Sequence, residues 1–263
     1  MFMEAKKEIK LFFLSVKYNL VREMANPVSF ILNVLFMMLN NATFLVQWIV
    51  IFSIKTDLGG YKFPEVCLLW GISSATFGLS RVMSGGAFYM SKYIEEGALD
   101  PYLVMPRDAY NAVLSSKTVV SALGDFLYGV ILSLVFFHSL KDILLIILFI
   151  IFGTIISASF SSIMHSLAFL LKRSEELSSS LENIFITFSL YPDVVFNDKL
   201  RFLFYTLIPV AFAVYVPVSV IREFDVMKLI VVILFSVFIS LLARFIFYKG
   251  LKKYSSSNLM STK

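Results

Sequence analysis

Residues that do chemistry are scarce in this chain. It holds one cysteine, Cys67, inside an apolar run, so there is no disulfide framework. Its two histidines, His138 and His165, leave a zinc site to be built mostly from carboxylates. None of the eleven glycines is followed by Lys-Ser or Lys-Thr, which excludes a P-loop. H-E-x-x-H and G-x-S-x-G are missing too. We therefore expect no catalytic residue, metal or cofactor in the chain, and any uphill work must draw on a partner or an ion gradient. Strict apolar/polar alternation is also lacking, which excludes a membrane β-barrel. The formal net charge of +5 is a weak sign of nucleic acid, and none is expected as a partner.

What remains is hydrophobic. Of 263 residues, 59% are apolar, and the mean hydropathy is +0.84. A soluble domain of this size rarely reaches that balance. The apolar residues fall in blocks long enough to cross lipid, roughly 20 residues each. The reading is an all-α polytopic membrane protein with spans over 27–53, 63–87, 112–137, 142–171, 177–191 and 226–248. Lys and Arg number fourteen on the side of the N-terminus and seven on the other, with Arg81 and Arg244 inside spans. The positive-inside rule then places both termini in the cytoplasm.

Before the first span, Ala5, Ile9, Phe12, Val16, Leu20 and Met24 recur at helical spacing, as in an amphipathic helix lying in the interface over 1–26. No cleavable signal peptide is expected, because charge interrupts the opening residues. Asn26-Pro27 suits the start of a new helix. Within residues 192–225 the stretch 201–221 is apolar enough to cross, yet it contains Pro209 and Pro217. A crossing there would export the basic tail, so short broken helices re-entering from outside are expected. The fifth span turns at Tyr191-Pro192, and the tail 254–263 reads as disordered.

Ionisable groups inside spans are expensive in lipid and face protein or water. Asp125, near the middle of the third span, is the first candidate for the substrate pathway, with His165, Arg81 and Glu182. Asp125 also fits a helix-packing carboxyl, and Arg81, Glu182 and Arg244 can snorkel to the inner headgroups. Gly153, Ser157 and Ser161 mark a small-residue face for helix packing.

The inner loop 88–111 has a different character. Its pattern is Ile94-x-x-Gly97-x-Leu99-Asp100-x-x-Leu103-x-x-Pro106. Gly97 fits a helix end, and Asp100-Pro101 fits an N-cap followed by Pro at the first helical position. Apolar Ile94, Leu99, Leu103, Val104 and Met105 suit docking into a groove on a soluble partner. This pattern resembles the loop signature of ABC-2-type transporter permeases, in the six-span subfamily of this length. The resemblance extends to the N-terminal segment and to the late Tyr191-Pro192, Pro209 and Pro217 stretch. It implies an interfacial connecting helix, a transmembrane domain over 27–253, a cytoplasmic coupling helix in 88–111, and re-entrant extracellular helices in 192–225. It also implies a separate ABC ATPase dimer holding ATP and Mg, a second permease chain (the same or related), and a lipid-embedded place in a prokaryotic cell membrane. Export of an amphipathic drug, peptide or lipid-like molecule follows from the same resemblance. The rival reading is a gradient-driven transporter or channel using Asp125.

Overall fold

The computed structural model describes residues 2–171 and 174–255, with side chains from residue 6. Among the described residues the regular structure is all helical apart from one isolated bridge, Leu58 with Tyr61. In chain order the helices are α1 (Phe2–Glu23), α2 (Pro27–Ile54), α3 (Phe63–Met83), α4 (Met90–Glu95), α5 (Asp100–Leu103), α6 (Ala109–Leu114), α7 (Ala122–Phe136), α8 (Leu140–His165), α9 (Glu175–Ser189), α10 (Asp198–Thr206), α11 (Val216–Arg222) and α12 (Val226–Leu251).

The starts of the long helices follow local chemistry. Asn26 Oδ1 accepts from the Ser29 amide at 3.2 Å and Pro27 opens α2. Asp225 Oδ1 accepts from the amides of Met227 and Lys228 at 2.8 and 3.2 Å, capping α12. Among the described residues, four helical segments are long and apolar enough to cross a membrane: α2, α3, α8 with the 3-10 turn after it, and α12. The bent pair α10–α11 would make a fifth if it crossed as one. Helices α7 and α9 have 15 residues each. That is about 22 Å at 1.5 Å per residue, against a hydrocarbon core of about 30 Å.

The hub is α3, enclosed on nearly all sides, while α2 and α12 keep most of their apolar surface outward. Helices α3 and α7 meet backbone to backbone. A Cβ placed on Gly129 would lie 2.3 Å from the Ala75 nitrogen and 2.5 Å from the Gly71 oxygen. This is close packing through small residues, the stronger option in lipid, where apolar side chains gain little by leaving the solvent. The Gly153–Ser157–Ser161 face packs inside the chain as well: Ser157 Oγ lies 3.2 Å from Ser80 Oγ of α3.

Two expectations need correction. The third span does not run through 112–137. It stops at Leu114, and residues 115–121 leave the helix. The cause is hydrogen bonding: Thr118 Oγ1 donates to the Val82 carbonyl at 3.0 Å and the Val119 amide to the Arg81 carbonyl at 3.2 Å. Both carbonyls belong to the last turn of α3, which has no intrahelical partners for them. Asp125 therefore sits in the first turn of α7 rather than in mid-span.

The stripe expected on α1 also divides. Phe12, Val16 and Leu20 face the protein, whereas Ile9 and Met24 are exposed. The inward face is completed by polar Ser15 and Asn19. The side chain of Ala5 and residues 256–263 of the expected tail lie outside the described residues.

Candidate functional site

The loop after α3 folds as a compact unit. Gly97 has φ of 71°, the left-handed conformation that ends helices. Here the Ala98 amide donates to the Tyr93 carbonyl at 2.8 Å, closing the end of α4. The chain then reverses into α5. Leu99 and Ile94 point inward, 0% and 2% exposed, into a cluster with Met90, Tyr110, Val113 and Phe247. This corrects the expectation that Leu99 fills a partner's groove: the side chain is already enclosed by its own chain. Asp100 is corrected too. Leu99 holds the cap position, and Asp100 is the first residue of α5 with no capping bond. Its Oδ1 accepts from the Tyr254 hydroxyl at 3.0 Å. Burial, with Asp100 beside it, pushes that hydroxyl up to about 12, so it stays protonated and donating at neutral pH.

The apolar residues left outside are Leu103, Val104 and Met105, with Val104 84% exposed, and Pro106 beside them is exposed too. Three sets of contacts hold this tip. Asp108 caps α6 through the Asn111 amide at 2.9 Å, and also accepts from Arg244 and, at 2.7 Å, from Tyr248 of α12. Helix α1 contributes Glu8, which accepts from the Asp108 amide at 3.2 Å, and Ser15, which accepts from Arg107 at 3.0 Å. Glu95 of α4 accepts from the Ser174 amide and hydroxyl at 2.7 and 3.1 Å, tying the loop to the start of α9.

Deeper in the fold, three of the four candidate pathway residues come together. Arg81 Nη2 lies 2.5 Å from Glu182 Oε1, and His165 Nε2 lies 3.4 Å from Glu182 Oε2. His165 Nδ1 lies 2.8 Å from Ser91 Oγ of α4. The cluster joins α3, α4, α8 and α9. The expectation that Arg81 and Glu182 reach for lipid headgroups is thus corrected: they pair with each other. So is that for Arg244, which pairs with Asp108. Asp125 shares no hydrogen bond with this cluster, although it lies within electrostatic reach of Arg81, and accepts from Asn41 Nδ2 of α2 at 2.6 Å. Removing the Glu182 charge leaves Arg81 partly buried without its counter-ion. We expect Glu182→Gln to lower stability by about 1–3 kcal/mol, and Arg81→Gln with Glu182→Gln to lose less than the two single changes added. Thermal unfolding of the four proteins in detergent measures this, and strict additivity would contradict the pairing.

At the opposite end, Tyr191 packs on Trp48 with ring centroids 5.7 Å apart, and Pro192 leads into a short 3-10 turn. Pro209 stands at the break between α10 and the helical segment 211–222, which meet at 83°. Pro217 has no amide hydrogen, and the turn before it widens to π geometry, with the Val216 amide bonding to the Ala211 carbonyl. Asp193 accepts from the Tyr61 hydroxyl and from Arg201, each at 3.2 Å.

A sequence model of ABC-2 family transporter proteins matches residues 36–258. The chain belongs to the ABC-2 transporter family. Neither a curated protein nor a solved structure matches it. In this ABC-2 chain, reasoning from sequence missed Asn41, Ser91, Asp108 and Asp193. Asp108 carried a readable signal, because Asp is a preferred cap directly before a helical segment. Asn41 and Ser91 carried none, since their partners lie 84 and 74 residues away.

Proposed function

We propose that this chain is the transmembrane permease subunit of an ATP-driven ABC exporter. It forms half of the translocation pathway and has no ATP site of its own. ATP and Mg are bound by a separate ABC ATPase dimer, and a second permease chain, the same or related, completes the pathway. The single observation that carries the reading is the exposed Leu103–Val104–Met105 tip on a loop whose every other large apolar residue is at least partly enclosed. An apolar tip rigidly held at the end of a membrane fold is suited to a soluble partner. Its backing by α4 and α6 supports reading 88–111 as a coupling element, with Gly97 as its turn and Ile94 and Leu99 as its internal core.

The half-pathway is supported by α9, whose outer face carries Ser180, Asn183 and Thr187, all exposed. Polar groups at membrane depth call for water or another chain. Asp125 gives the gradient-driven alternative little support, because Asn41 engages it. The substrate class is an amphipathic drug, peptide or lipid-like molecule.

The test is co-expression with a separate ATPase. Two copies of each subunit and ATP hydrolysis that disappears when this chain is omitted are expected; a complex active with one permease chain would contradict the reading. The six-span arrangement in a prokaryotic cell membrane, both termini inside, has its own test. In a Cys67→Ser background, Asp198→Cys on α10 should react with an impermeant maleimide from outside intact cells and Lys252→Cys should not. Efficient outside labelling of Lys252→Cys would make 192–225 a full crossing.

A further inference from the structure

Helix α12 and the end of α8 leave a groove between them at the end of the molecule that carries the loop 88–111. Its volume is about 400 Å³, within the range of roughly 300–1,000 Å³ typical of ligand sites. Ile163, Leu167, Leu170 and Ile246 form the walls, and Lys249 and Lys253 stand at the rim. Leu170 is 61% exposed, so the groove opens sideways to whatever surrounds the apolar helices. Among the described residues no carboxylate lines it, and neither lysine is paired with one. Lys249 Nζ lies 5.8 Å from the centre of the Phe245 ring.

We propose that this groove is a binding site for one anionic phospholipid of the cytoplasmic leaflet. The apolar walls need an apolar occupant, because water gains no hydrogen bonds there and an empty groove forfeits dispersion contacts. An acyl chain supplies it. The two ammonium groups, on flexible stems above the walls, stand where a headgroup phosphate would lie. A zwitterionic lipid can fill the walls, but its own cation offsets its phosphate, so the lysines select a net negative headgroup. Complementing the helix dipole would be served by lysines on any face of the last turn. These two share the face over the groove.

The experiment uses the full chain, delipidated in a neutral detergent and followed by native mass spectrometry. It is titrated with dioleoyl phosphatidylglycerol and, separately, dioleoyl phosphatidylcholine. The first phosphatidylglycerol should bind more tightly than the first phosphatidylcholine. K249Q/K253Q should weaken phosphatidylglycerol by roughly 10- to 30-fold, the combined effect expected of two lysines near an anionic headgroup, and leave phosphatidylcholine unchanged. L167W, which fills the groove without altering charge, should weaken both lipids. Glycerol 3-phosphate, a headgroup without chains, should not compete. Retention of the phosphatidylglycerol preference by K249Q/K253Q would overturn the proposal. So would displacement of the lipid by glycerol 3-phosphate, which would mark a simple anion site, or full affinity in L167W. Should L167W fail to elute as a single species, the lysine variant decides alone. Neither the ATPase nor the orientation in a cell enters this measurement, so its failure leaves the permease reading untouched.

Discussion

Leu99→Asp should abolish the folded structure of the loop 88–111. The side chain is wholly enclosed by Met90, Ile94, Tyr110, Val113 and Phe247. Deleting a buried leucine costs about 2–5 kcal/mol, and an unpaired buried charge adds several more. That total approaches the roughly 5–15 kcal/mol that holds a typical domain together. The cluster draws on α4, α6 and α12, so its loss should spread beyond the loop. Val104→Asp changes a side chain that touches almost nothing in its own chain, and should leave folding intact. The measurement is thermal unfolding and size-exclusion behaviour of both variants at matched expression. A well-folded Leu99→Asp protein would mean the interior cluster is not what holds the loop.

The second large effect is expected at Gly129. A Cβ there would overlap backbone atoms of α3, at Ala75 and Gly71, rather than flexible side-chain ends. Backbone cannot turn aside, so α3 and α7 must separate. Overpacking commonly costs about 1–3 kcal/mol, and valine here should fall at the upper end or beyond, since α3 is the hub of the fold. Gly129→Val should lower the unfolding temperature markedly, and Gly129→Ala less so. An unchanged unfolding temperature in Gly129→Val would contradict the close crossing.

Much of the architecture was legible because it rests on local chemistry. Asn26 supplies a cap and Pro27 a pre-set first-turn backbone, both local signals, and Gly97 ends a helix because glycine adopts the left-handed backbone without strain. The continuous apolar blocks placed the long helices within a few residues. The break at 115–121 was hidden because hydropathy averages over Ser115–Ser121 and cannot see that α3 leaves carbonyls nearby for Thr118 and Val119. The loop motif marked 88–111 as a folded unit but not which of its side chains face out. Ile94 and Leu99 look the same as Leu103 and Val104 in one dimension, and only packing against α12 separates them. The pairing of Arg81, His165 and Glu182 was illegible for a related reason. Arg81 and His165 stand in the last turns of α3 and α8 and Glu182 midway along α9, and their meeting depends on how α3, α8 and α9 cross.

The claim that matters most is that this chain couples to an ATPase through the exposed tip of 88–111. It is tested most directly by site-specific photocross-linking, with a photoreactive amino acid placed at Val104, and at Lys199 on α10 as a control, in the complex with the co-expressed ATPase. A cross-link to the ATPase from position 104 and none from position 199 is the expected result. Co-purification of the ATPase without any cross-link from position 104 would contradict it.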